Sequence, residues 1–94
     1  MKKSEMVKSL LQKLHKARWE LGFFYAIDNQ KWSAEQQATI HHNILMVQAQ
    51  ESILSDLAND YACFPVGAEW YRLAFDEGMK AESLEEYQLP IELM

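Results

Sequence analysis

Apolar side chains recur at Val7, Leu10, Leu14, Ala17, Leu21 and Phe24, in steps of 3, 4, 3, 4 and 3 that line one face of an α-helix. This stripe predicts a first helix over 4–28, with Ser4 as its N-cap. The polar run Asp28-Asn29-Gln30-Lys31-Trp32 reads as a turn. Ser33-Ala34-Glu35-Gln36 then forms a capping box, in which the Ser33 and Gln36 side chains satisfy each other's orphan amides, so a second helix starts there. Its stripe is Ile40, Ile44, Val47, Glu51, Leu54, Ala58 and Tyr61, again stepping by 4 and 3, with one carboxylate among the apolar residues. Pro65 disfavours a helical Phe64, which puts the end of this helix at residue 63. After Gly67 a third helix is expected over 68–81. Trp70, Tyr71, Ala74, Phe75 and Met79 form its apolar arc, and Glu69, Arg72, Asp76 and Lys80 form a solvated face with i, i+4 charge pairs. Ser83-Leu84-Glu85-Glu86 repeats the capping pattern ahead of a short turn over 84–88, and 89–94 is an apolar tail.

Two long helices joined by a short turn form an antiparallel hairpin. With the turn centred near residue 31, facing residues have numbers summing to about 62, which sets Ile44 beside Arg18 and Glu51 beside Leu11. A second helix of that length is about 43 Å long, too long for a third helix of about 14 residues to cover. The sequence thus predicts a single all-α domain over 1–94, a long antiparallel helical hairpin plus a shorter third helix in a three-helix bundle-like arrangement. The apolar surface left over predicts homodimerisation.

Composition supports a packed domain. The chain has 94 residues, 49% hydrophobic and 12% aromatic, which is enough to fill a core. One cysteine, Cys63, makes no internal disulfide and fits a reducing compartment. Polar residues interrupt any apolar region after Met1-Lys2-Lys3, and no run of about 18 apolar residues occurs, so the expectation is a cytoplasmic protein without a membrane span. The net charge of −5 is polarised: residues 1–18 carry six cations and one carboxylate, and the remainder carries three cations and thirteen carboxylates.

Candidate chemistry is sparse. Arg18 and Glu51 interrupt the two apolar stripes and read as polar core positions that fix register. In the register above they lie about 10 Å apart in level, so a pair between them calls for another register or a second copy. His15, His41 and His42 lack the i, i+4 spacing of a helical metal site, and no metal or other cofactor is expected. His15, Trp19 and Phe23, spaced i, i+4, i+8, form an aromatic ladder roughly 150° round the helix from its stripe. Two readings stay open for it. Either the third helix, with Trp70 and Phe75, packs over the ladder, or the ladder is an interaction surface together with Trp70 and the tail residues Ile91, Leu93 and Met94 docking on a partner subunit. Lys8, Lys13 and Lys16 share a face fit for phosphate contact, but the −10 elsewhere repels phosphate, which disfavours direct nucleic-acid binding.

No phosphate loop, nucleophile set or metal cage is spaced along the chain, so no enzyme is expected. The leading expectation is a small protein-binding module acting by surface occupation on a basic protein partner. By analogy at the level of class, that suits an inhibitor or antagonist of a nucleic-acid-handling protein, of the immunity or phage anti-defence type. A dimeric regulator that contacts nucleic acid through the basic first helix is the alternative. A helical metal- or ligand-binding protein using Glu51 and the histidines is the weaker one.

Overall fold

The computed structural model describes residues 2–94, and among these there are three α-helices, two short 3-10 turns and no strand. Helix α1 spans Lys3–Asp28, α2 spans Ala34–Asp60 and α3 spans Glu69–Lys80. The N-cap of α1 is Lys2, with no side-chain cap, and not Ser4. The amides of Glu5 and Met6 instead use the Lys2 carbonyl, which draws Ser4 into the first turn. At the hairpin, the Trp32 indole donates to the Ile27 carbonyl (2.7 Å) and pins the turn. The expected capping box forms, with the Gln36 amide on the Ser33 hydroxyl (3.2 Å) and the Ser33 amide on the Gln36 side chain (3.1 Å).

Helix α2 stops at Asp60, three residues before the expected end. The cause lies upstream of Pro65. Cys63 N–H donates to the Ala58 carbonyl and Ala62 N–H to the Asn59 carbonyl, a Schellman arrangement that needs a left-handed residue. Ala62 supplies it, with φ at 54°. The expected i, i+4 pairs on the outer face of α3 are replaced by an i, i+3 pair, Arg72 to Glu69 at 3.6 Å. The segment after α3 makes a 3-10 turn at Leu84–Glu86, where the Glu86 carboxylate accepts from the Glu82 and Ser83 amides, and another at Ile91–Leu93.

Helix α1 is central: α2 and α3 both pack along it, and the tail returns across it. The molecule measures 46 × 23 × 22 Å, with a radius of gyration of 14.2 Å against about 12 Å for a compact chain of this size. Its core is split in two. At the hairpin end Leu21, Ile40, Ile44 and Val47 cluster with Phe24, Tyr25, Ile27 and Phe75; at the other end Leu10, Leu14 and Ala58 cluster with Leu54, Cys63, Phe64 and Tyr71.

Arg18 and Glu51 meet between the clusters, Nη1 to Oε1 at 2.6 Å, within one hairpin. Their numbers sum to 69 and not to about 62. Side chains lean toward the N-terminus of their own helix. On α1 that direction leads away from the turn and on α2 toward it, so contacts join residues with higher sums, and the length of Arg18 extends the offset. Neither a second copy nor a different turn is needed for this pair.

Candidate functional site

The aromatic ladder of α1 is core. His15, Trp19 and Phe23 are buried, His15 to 1% exposure, beneath α3 and the tail. The close fit depends on two helix-interior glycines. A Cβ on Gly78 would overlap the Trp19 carbonyl oxygen, and one on Gly22 would overlap that of Phe75, so the α1 and α3 backbones touch at this crossing. Trp19 stacks parallel to Phe23 at 5.9 Å between centroids, and Tyr87 closes edge-on over Trp19 at 5.2 Å.

Tyr87 also holds the tail. Its hydroxyl lies 2.7 Å from His15 Nδ1, and Lys16 Nζ sits 5.8 Å above its ring. Gln12 donates to the Leu93 carbonyl (2.6 Å), and Leu93 is buried on its own chain's α1. The surface expected from His15, Trp19, Phe23 and Leu93 is therefore already occupied from within. Trp70 is half-buried, while Ile91 and Met94 stay exposed. Burial holds the His15 imidazole below its ordinary value, partly offset by Glu92. Burial, with Glu20 nearby, pushes the Tyr87 phenol up to about 12.

Between α3 and the tail lies a cleft of about 460 Å³. His15, Trp70 and Leu73 line it on the helix side, and Leu89, Pro90 and Ile91 on the tail side. Glu69, Glu77 and Glu92 stand round it, all exposed. Asp76, Glu82, Glu85 and Glu86 are exposed as well, so α3 and the tail carry seven exposed carboxylates against Arg72 and Lys80. A cationic side chain entering here would meet carboxylates at the mouth and an indole within.

The side away from α3 is different. A shallow groove follows the α1/α2 seam, walled by Leu10, Lys13 and Ala17 on α1 and by Ile53, Leu54 and Leu57 on α2. Lys8, Lys13 and Lys16 are all exposed, and among the described residues none is in an ion pair. Beyond Glu51, Arg18 donates to the Tyr71 hydroxyl (3.2 Å) and stacks on that ring at 4.4 Å. His41 pairs with Asp28 at 3.0 Å. No three His, Cys, Asp or Glu side chains converge as a metal site among the described residues, and no helix is long and apolar enough to cross a membrane.

Sequence reasoning missed Gly22, Gly78 and Tyr87. The glycines did leave a signal, because a glycine inside a helix costs about 1 kcal/mol relative to alanine and needs a packing reason. Tyr87 left none, since nothing in its neighbourhood specifies how the tail folds back. No family model matches this chain, and neither a curated protein nor a solved structure is similar to it.

Proposed function

We propose that this chain is a small, non-enzymatic protein-binding module that works as a homodimer and occupies a basic surface of another protein, of the kind nucleic-acid-handling proteins present. One observation carries the reading. The excess of carboxylates on α3 and the tail, residues 68–94, equals the whole net charge of −5, and three of them, Glu69, Glu77 and Glu92, line a cleft that has an indole within it. Dense carboxylates steer a basic partner and hold it in register. Arginine suits the cleft better than lysine, because a guanidinium both forks to a carboxylate and stacks on Trp70. By occupying such a basic surface, the module would block its owner from nucleic acid.

The test is a calorimetric titration with an arginine-rich peptide, run beside the same titration with a duplex DNA. Peptide binding that weakens with salt, and that is lost in Glu69→Lys/Glu77→Lys with the helical signal intact, is the expected result. If DNA binds and the peptide does not, the reading is overturned in favour of a nucleic-acid regulator using Lys8, Lys13 and Lys16.

A further inference from the structure

The face of α2 opposite its packed stripe is bare. It presents His42, Leu45, Ala49, Ile53 and Asp56, all exposed, with Leu45 at 65% and Ile53 at 61%. Outward positions between His42 and Asp56 carry no charge, whereas the free face of a surface helix is ordinarily charged and polar. Met46 and Leu57, also exposed, widen the strip toward the α1/α2 groove.

We propose that this face is the interface of the dimer, with α2 of one copy lying antiparallel on α2 of a second copy about a two-fold axis through Ala49. The steps along the strip are 3, 4, 4 and 3, which read the same in both directions. The axis therefore sets Leu45 against the partner's Ile53 and His42 against the partner's Asp56, while Ala49 meets its own mate. Apolar groups face apolar groups at the centre, and an imidazole faces a carboxylate at both ends. A small residue on the axis lets the helices approach to about 8 Å. Helix α2 contains no Lys or Arg, so the hydrogen-bonding complement to Asp56 on this face is the partner's His42.

A two-fold interface demands such self-complementarity, and a second copy is the one occupant bound to present the same steps in reverse. Basic proteins are drawn instead to the carboxylates of α3 and the tail, which this packing leaves free. The inference rests on the dimeric reading above and adds the surface, the direction and the axis.

Light scattering on the full chain should give about twice its 11.0 kDa mass. Ile53→Asp, and independently Leu45→Lys, should halve that mass with the helical signal unchanged. In a Cys63→Ala background, Ala49→Cys should cross-link into a covalent dimer under mild oxidation, since mates on the axis come within disulfide reach. Glu35→Cys, about 40 Å from its mate in this arrangement, should not. A wild type that is monomeric at every concentration overturns the dimer and the interface together. A dimer that survives both charge substitutions, or that cross-links through Glu35→Cys and not through Ala49→Cys, keeps the dimeric reading and overturns the interface.

Discussion

Helix α1 has two packed sides, and they are finished to different degrees. Toward α3 and the tail its backbone touches another helix at Gly22 and Gly78, and four aromatic or imidazole rings fill what remains. Toward α2 the buried residues are aliphatic, interrupted in the middle by Arg18 and Glu51, and flanked by an open groove. A hydrophobic stripe sufficed for the second contact. The first required glycines at two positions and a tail that returns to cover it. The short helix is thus the more closely fitted one, and the long helix keeps a face to spare.

The largest break should come at the close crossing. Gly78→Ala inserts a methyl where the Trp19 carbonyl sits, and separating α1 from α3 should cost about 3 kcal/mol or more in urea unfolding. Gly67→Ala is the control: its φ is 82° but nothing lies near its side-chain position, so only backbone strain of about 1 kcal/mol is expected. Equal losses at the two sites would mean that the α1/α3 contact is not close.

The α2 side should respond to charge more than to volume. Glu51→Ala strands a guanidinium whose Nε already has no partner, and should cost about 2 kcal/mol, less than a fully buried pair because the Arg18 side chain is 27% exposed. Arg18→Met/Glu51→Leu removes both charges and should fall within about 1 kcal/mol of the wild type, or above it. A double variant as unstable as the single one would show that the pair supports the hairpin by more than charge balance.

On the α3 side, pH should act through the tail. The His15 imidazole is held low by burial in the folded chain, so the unfolded chain binds the extra proton first as pH falls through 6.5. Its contribution is complete above 6.5 and declines below, at no more than about 1.4 kcal/mol per pH unit. Tyr87 works at the other limit. Pushed up to about 12 from 10.0, its phenol ionises first in the unfolded chain, and stability is lost as pH rises past 10. Thermal melting from pH 8 to 5 should therefore show a steeper fall for the wild type than for His15→Gln. Parallel curves would remove His15 from the account.

A smaller effect marks the end of α2. Ala62→Gly relieves a left-handed alanine and should stabilise by about 0.5–1 kcal/mol, readable as a rise in the urea midpoint.

These contrasts also explain what the sequence made legible. The stripes through Leu10, Leu14 and Leu21 and through Ile40, Ile44 and Val47 could be read because helical burial imposes a period. The Ser33–Gln36 box was local chemistry and formed as expected. Ala62 at a helix end was hidden because alanine gives no sign of a left-handed backbone. The Arg18–Glu51 pair was visible as two misplaced charges, but the lean of side chains along each helix set the distance between them. The aromatic ladder presented one pattern for two outcomes, and the glycines on the facing helices decided between them. The cleft was the least legible feature, because it depends on where Pro90 and Ile91 come to rest after the tail has folded back.

The unfinished side can be tested without any partner. Melting of the wild type and of Ile53→Asp over about a hundredfold range of protein concentration asks whether the bare face of α2 is covered by a second copy. Association stabilises the folded chain by mass action, so the wild-type Tm should climb by several degrees with concentration while that of Ile53→Asp stays level. A wild-type Tm that does not move across the range, and matches that of Ile53→Asp, would contradict the account.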